Sequence, residues 1–524
     1  MGQSLTPRQI RWLLAAAAVS SGCGLAAELL LGTLASYLVG NQALAYGVAV
    51  GGFLSAMGVG AYLTRFVAPD AQSPDVQPKT KPKTKPKDTQ SLLLTRFFQV
   101  ELLIALLTAL LPLGLFALFT VDGPLWLGLG LVTLLLGTLA GAEVPLLTRL
   151  VERDRGMREA LAGVLALDYM GGLTGSLLFP VVLLPLLGMF PAAAVIGAFP
   201  AWMVYFMGQA FPGRRGWRRG GLALGIGLLL FAPLTLPISN RLENTLYGAP
   251  IVSQQQSAYQ RIVLTRYGQD VRLFLDGDLQ MSTLDEYRYH EALIHPALAA
   301  SGTPRRVLLM GAGDGMALRE VLKWPEVEQV LVIELDPQVI ALARRYPALS
   351  QANGRSFDDP RVTVRYGDAF KLVPDLAQTF DVIVADFPDP DVDAIAKLYS
   401  FGFYRQLRQH LTPNGVLVTQ ASSPFFAPKV FACIAATLEA ASFQVYPYTI
   451  SVPSFGPWGF VLAGPTIDID GLTIAVPTQF LTEPLLSALF ILPKDISLGR
   501  VQVNRLGQPI IVRYQTDPRW SLYN

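Results

Sequence analysis

Between residues 307 and 336 the chain reads VLLMGAGDGMALREVLKWPEVEQVLVIELD, and this stretch restricts the fold more than any other. The apolar run 307–310 has the length and composition of a buried strand. Gly311, Gly313 and Gly315 then make a turn through which backbone can approach a ligand closely. A helical stretch broken at Pro325 follows, and a second apolar run, 330–333, ends on Glu334. The result is a βαβ unit with a carboxylate about 20 positions beyond the glycines, where it can accept hydrogen bonds from ribose hydroxyls. Such a turn fits any nucleotide or adenosyl site, and it also occurs as plain structure. Asp314 narrows the choice, because a carboxylate beside backbone amides repels a pyrophosphate and welcomes a cation.

The chain before about residue 240 has a different character. Hydrophobic residues make up 52% of the sequence and charged residues 15%, against about 25% charged in an ordinary soluble domain, and nearly all the excess apolarity lies in this half. Candidate membrane spans are 12–39, 43–63, 97–119, 125–147, 161–187, 192–211 and 222–236, each near the ~20 residues a bilayer requires. The first is too long to be a simple cleaved signal peptide; the last is the shortest and contains Pro233. The tract PKTKPKTKPK, residues 78–87, reads as an extended linker facing anionic headgroups. Glu28, Glu101, Glu143 and Asp168 fall inside spans, where carboxylates are costly; they either line a cation pathway, or pair between helices and lie at the interface. Gly171, Gly172 and Gly175 are spaced for close helix packing. Arg8, Arg11, the lysine-rich linker and the arginines at 149–158 and 214–219 put the N-terminus in the cytoplasm, so seven spans would leave the remainder outside.

From about Ser239 the composition is that of a soluble domain. Residues 260–281 alternate short apolar runs with turns at Gly268 and Asp276-Gly277, as β-hairpins do. Beyond Glu334, residues 361–366 form a strand that leads into Gly367-Asp368-Ala369, and Asp368 is placed to accept from an adenine amino group. The near-continuous apolar run 381–385 is a strand of the parallel type that ends in Asp386-Phe387-Pro388-Asp389-Pro390. A further strand, 416–420, ends on Gln420, at the edge where open α/β sheets bind ligands. Cys23 and Cys433 are far apart and match neither a disulfide framework nor a zinc spacing, so both read as buried thiols. The formal net charge of +2 singles out no polyanionic partner, and no nucleic acid is expected.

The loop GAGDG, the pair Arg319-Glu320 and the segment Glu334-Leu335-Asp336 resemble the polyamine aminopropyltransferases, the spermidine synthase family. The loop D-x-x-D-P, Asp386 to Pro390, is the most specific match. Tyr259-Gln260, Leu275-Asp276-Gly277 with Gln280, Tyr289-His290-Glu291 and the segment 453–460 agree with it. In the first half, SGCGLAAELL, Ser36-Tyr37-Leu38 and residues 166–188 resemble the membrane-bound branch of that family. Three departures stand out. Ala312 replaces a family glycine, Val392-Asp393 replaces a Gly-Pro that borders adenine, and Phe455 stands where many spermidine synthases carry Tyr.

The resemblance implies an α-helical multi-pass membrane region (1–238), a small β-rich part (239–300), a Rossmann-like catalytic domain (301–470) and an unrelated tail (471–524). It implies transfer of the propylamine group of decarboxylated S-adenosylmethionine to putrescine, giving spermidine and 5′-methylthioadenosine, with the donor a co-substrate and no cofactor or metal. Asp386 would be the general base. Gln260, Gly311, Gly313, Asp314, Glu334, Asp368 and Ala369 would bind the donor, and His290, Asp314, Asp389 and Gln420 the amine; His295 is structural. A homo-oligomer through the catalytic domain is expected, and a cytoplasmic catalytic domain, because the donor is made there. The alternatives are a longer acceptor, as in spermine or thermospermine synthase, and a membrane polyamine transporter or sensor with a vestigial enzyme domain. A methyltransferase on the same fold would not need the acidic D-x-x-D-P loop.

Overall fold

The computed structural model describes residues 5–39, 42–67, 86–121 and 123–515. It divides into two compact units, Met1–Gly248 and Ala249–Asn524. The linker tract before Pro86 and the loop residue Asp122 lie outside the described residues.

The first unit is helical: α1 (Pro7–Val39), α2 (Gln42–Leu63), α3 (Pro86–Thr120), α4 (Leu125–Arg155), α5 (Met157–Leu178), α6 (Leu184–Leu187), α7 (Met189–Ala210) and α8 (Arg215–Leu246). Among the described residues, seven helices are long and apolar enough to cross a membrane, with α5 and α6 counted as one. The two are joined by a π-turn over Phe179–Leu183, in which Pro180 cannot donate to the helix ladder. Glycine stripes let backbones touch. A Cβ on Gly171 would lie 1.9 Å from Ala18 O, on Gly175 2.0 Å from Gly22 O, and on Gly141 2.0 Å from Met57 O. Any larger residue there would push α5 off α1, or α4 off α2. Glu28, Glu101 and Glu143 are buried. Ser20 of α1 donates to Glu101 of α3, and Ser21 of α1 pairs with Asp168 of α5, so these two carboxylates pair between helices. The polar stretch after Pro233, expected as the exit from the apolar region, is still helical, and α8 runs on to Leu246. The units therefore part at Gly248 rather than near residue 238.

The second unit begins with an antiparallel sheet in the order β1 (Ile251–Gln256), β2 (Arg261–Tyr267), β3 (Asp270–Leu275), β4 (Asp278–Ser282). The hairpins read from residues 260–281 are present, and β1 adds a strand before them. Helix α9 (Glu286–Ser301) leads into a seven-stranded sheet of β5 (Arg306–Gly311), β6 (Gln329–Glu334), β7 (Val362–Tyr366), β8 (Phe380–Asp386), β9 (Leu411–Gln420), β10 (Gln444–Val452) and β11 (Gly456–Gly464). Its order is β10-β11-β9-β8-β5-β6-β7. Strands β5 to β9 run parallel, and β10 and β11 add an antiparallel edge. After β7 the chain returns to the other side of β5, so the strand order reverses between β5 and β8. Ligands bind outside the carboxyl ends of the strands at such a reversal.

The segment after Gly471, expected as an unrelated tail, belongs to this unit. Leu472, Val476, Leu481, Leu486 and Leu489 join the core on one side of the sheet, and Ile510 and Ile511 join that on the other. The fully buried carboxylate of Glu291 on α9 accepts three backbone amides from it, Gln479 (2.6 Å), Phe480 (2.9 Å) and Leu481 (2.9 Å). Local pattern did not show this, because the partners are far apart in sequence. Glu291→Ala strands those three donors and should cost about 3 kcal/mol. The checks are thermal unfolding and faster proteolysis between residues 471 and 490; an unchanged melting curve would count against the clasp.

Candidate active site

Every carboxylate expected to carry chemistry sits at or just beyond the carboxyl end of a parallel strand. Gly311 ends β5 opposite Asp386 at the end of β8. It has φ +80°, and a Cβ there would lie 2.0 Å from Asp386 O; only glycine lets the two strand ends meet. Ala312 follows with φ +58°, so the methyl that replaces a family glycine sits in the left-handed region, at a cost of about 1 kcal/mol. A Cβ on Gly313 would meet Glu334 Oε2 at 2.8 Å, so this glycine admits the β6 carboxylate beneath the loop. Asp314 Oδ1 accepts from Met316 N at 2.9 Å and opens α10 (Met316–Leu322). Its other oxygen lies 4.0 Å from His290 Nε2.

Helix α9 supplies the opposite wall. Tyr289 Oη donates to Asp386 Oδ1 at 2.6 Å, a contact to which the sequence reading gave no role although Tyr289 lies within the quoted motif. His290 Nδ1 donates to Glu286 Oε2 at 2.8 Å, and Arg319 grips the same carboxylate with two bonds of 2.8 and 3.0 Å. Burial works against a charge on His290, but the Glu286 hydrogen bond and the field of Asp314, Glu286 and Asp386 outweigh it and hold its pKa up at about 9. At neutral pH it is an imidazolium facing Asp314 and Asp386. His295 is buried as a structural residue, 3.0 Å from Glu320 Oε2 and accepting from Trp324 Nε1 at 3.1 Å.

Burial pushes Asp386 up to about 6, against the lowering field of His290 and the Tyr289 hydrogen bond. That value suits a group that must be ionised at neutral pH yet accept a proton. Burial likewise raises Glu334 to about 7; its Oε1 accepts from Asp336 N at 2.9 Å. Gln260 reaches this region from the small sheet, donating to Asp336 Oδ2 at 3.1 Å. Asp368 caps Phe370 N (3.0 Å) and pairs with Lys397 (2.7 Å), an ion pair not foreseen, while Ala369 beside it is buried. Asp389 Oδ2 accepts from Ser422 Oγ (2.9 Å) and Gln515 Nε2 (3.0 Å), and burial raises its pKa despite these bonds. Gln420 donates to Phe387 O at 2.7 Å and to Asp389 Oδ1 at 3.3 Å, so its amide holds the D-x-x-D-P loop.

An aromatic cluster extends from Tyr289, the ring that bonds Asp386. The ring of Tyr289 lies 6.0 Å from Phe455 and 6.4 Å from Trp458. The loop that bears Phe455 is tied down where Ser454 N and Oγ donate to Asp285 at 2.6 and 2.9 Å. Asp278 and Asp391 add negative potential around Asp389. A cleft with this surplus of carboxylates attracts cations. Among the described residues, no group of three or more His, Cys, Asp or Glu side chains is arranged to hold a metal ion.

A doubly wound α/β sheet with a glycine turn at its reversal and carboxylates on its strand ends defines an adenosyl-type site for cationic substrates. The sequence profile of the spermine/spermidine synthase domain matches residues 286–470. Polyamine aminopropyltransferase 2 of Ralstonia nicotianae is 39% identical over 516 residues, covering 96% of this chain and 97% of that protein. Polyamine aminopropyltransferase 1 of Streptomyces coelicolor is 40% identical over 535 residues, covering 98% and 95%. The chain belongs to the polyamine aminopropyltransferase family and is a transferase. Spermidine synthase from Thermotoga maritima, a crystal structure, is 28% identical over 46% of this chain and 84% of that one, with a TM-score of 0.42.

The hydrogen bond from Tyr289 favours the ionised form of Asp386. Removing it in Tyr289→Phe should raise the Asp386 pKa by about one unit, since a bond to a charged group is worth on the order of 1.5 kcal/mol. If Asp386 is the base, the acidic limb of the kcat/KM profile should then move to higher pH than in the wild type. Acceptor protonation is common to both proteins and cancels in the comparison. A limb that stays in place would remove Asp386 as the titrating base.

Proposed function

We propose that the chain transfers the aminopropyl group of decarboxylated S-adenosylmethionine to putrescine, forming spermidine and 5′-methylthioadenosine. The observation that carries this reading is the pair of carboxylates Asp386 and Asp389, one held by Tyr289 and the other by Ser422 and Gln420, beside an aromatic wall. Two acidic groups near an aromatic cluster would suit a short diamine, its nitrogens at the carboxylates and its methylenes on the rings of Phe455 and Trp458. Glu334 would accept from the ribose, Asp368 and the backbone at Ala369 would border the adenine, and Gln260 the sulfur side of the donor. Asp314, facing the His290 imidazolium, would take the donor's ammonium. A donor that retained its carboxylate would be repelled there.

In the reaction, the lone pair of the unprotonated acceptor nitrogen forms a C–N bond to the propyl carbon next to the sulfonium. The C–S bond breaks with its electron pair going to sulfur, and methylthioadenosine leaves neutral. The proton released by the nitrogen passes to Asp386, a step worth on the order of 10²–10⁴-fold. Asp389 would orient the acceptor, and His290, as an imidazolium, would act on it through the carboxylates it faces, Asp314 and Asp386. The donor is itself consumed, so the reaction invokes no further cofactor.

The full chain purified in detergent, given the decarboxylated donor and putrescine, should yield spermidine and methylthioadenosine by mass spectrometry. Asp386→Asn should lower turnover at least ~10²-fold with donor binding within a few-fold. A preference for spermidine as acceptor would replace putrescine by a triamine, and methyl transfer from S-adenosylmethionine would overturn the reading.

The apolar helices are proposed to span the cell membrane. The donor is made in the cytosol, so the α/β unit is placed on that side. Seven spans then put the N-terminus outside, against the bias of Arg8 and Arg11. A reporter enzyme active only in the cytoplasm, fused after Asn524, should be active; silence there with activity on an N-terminal fusion would reverse the topology.

A further inference from the structure

We propose that Gln515 positions Asp389 for the acceptor amine, so that the C-terminal segment completes the active site. The inference rests on the reading of Asp389 as the acceptor's partner. Gln515 lies beyond residues 286–470, the part matched by the family profile. Its Nε2 nevertheless donates to Asp389 Oδ2 at 3.0 Å across 126 positions of sequence. The remaining bonds to that carboxylate come from Ser422 and Gln420, at and just after the end of β9. Without Gln515 the carboxylate is held from the β9 side alone, and Oδ2 loses one of its two donors among the described residues.

The pose of the glutamine itself points to this role. Gln515 Oε1 is buried and has no hydrogen-bond partner among the described residues, an arrangement that lowers stability. Exchanging the two ends of the amide would aim its oxygen at a carboxylate oxygen. The orientation of the amide is therefore the one Asp389 dictates.

The delivery of Gln515 is also built into the fold. The short helix Ile510–Gln515 is anchored by Ile510 and Ile511 in the same core as Phe387, Tyr399 and Phe403. Asn504, buried upstream of it, donates to Ala396 O (2.8 Å) and Tyr399 O (3.1 Å). Tyr399 Oη in turn donates to Phe387 O (3.1 Å) and Pro388 O (3.0 Å), in the loop that carries Asp389. One set of anchors thus fixes both partners of the Gln515–Asp389 bond.

The test is steady-state kinetics of the full chain with putrescine and the decarboxylated donor. Gln515→Leu should raise the acceptor KM by about tenfold, the loss of one bond to a charged group. Donor KM and kcat should stay within about twofold, and the melting temperature should hold or rise because the unpartnered oxygen is gone. A merely structural residue would lower the melting temperature and disturb both KM values together. Gln515→Glu should show an acceptor defect that shrinks, relative to wild type at the same pH, as pH falls and the new carboxyl regains a proton to donate. Asp389→Asn, alone and with Gln515→Leu, closes the cycle: the double variant should bind acceptor no worse than Asp389→Asn alone. An unchanged acceptor KM in Gln515→Leu, with a raised one in Asp389→Asn, overturns the inference and spares the function. An unchanged acceptor KM in Asp389→Asn overturns the role of Asp389 first, and the inference with it.

Discussion

The contact between Gly311 and the backbone of Asp386 is the constraint on which the catalytic unit depends. Strands β5 and β8 are neighbours in the sheet although β6 and β7 intervene in sequence. Their carboxyl ends meet with no room for a Cβ at Gly311. Because they meet, the turn bearing Asp314 and the loop bearing Asp386 and Asp389 open into one cleft. A larger residue at 311 would part the strand ends, and Asp314 from Asp386 with them.

Helix α9 holds the other side through residues that face in different directions. Tyr289 and His290 turn toward the strand ends, and Glu291 turns away to clasp the backbone at 479–481. One turn earlier, Glu286 sits between His290 and Arg319, and Arg319 also pairs with Glu320. The charge on His290 is therefore sustained by an ion-pair chain that ends in a guanidinium. Without Glu286, burial would favour the neutral imidazole, and Asp386 would lose the cationic neighbour that offsets its own burial.

Electrostatics and packing divide the labour in the cleft. Carboxylates supply negative potential, and Tyr289, Phe455 and Trp458 pack as an aromatic cluster beside them. Phe455 adds no hydroxyl to this cluster, so the polar groups here are Asp386, Asp389 and the side chains that hold them. In the helical unit the same chemistry is handled by serines: Ser20 and Ser21 of α1 pair with Glu101 and Asp168 on two neighbouring helices.

What the sequence by itself determined are features written in local periodicity and in short motifs. The apolar lengths of the helices, the Gly311–Gly315 turn, the strand ending at Asp386 and the hairpins about Asp276-Gly277 each need only neighbouring residues. That α5 packs closely on a neighbour was legible for the same reason, because Gly171 and Gly175 lie one turn apart on a single face; that the neighbour is α1 was not. Tertiary structure alone decided the strand order that brings Gly311 to Asp386, the bond from Tyr289 to Asp386, and the ion pair of Lys397 with Asp368. It also decided that the stretch after Gly471 is core rather than tail. Among its described residues that stretch carries neither strand nor long helix, so periodicity is silent on it; its place is set by Glu291 and by the apolar faces of a sheet that runs from Arg306 to Gly464. Contacts such as Gln515 to Asp389 form only when the whole chain has folded, since nothing near either residue in sequence encodes the other.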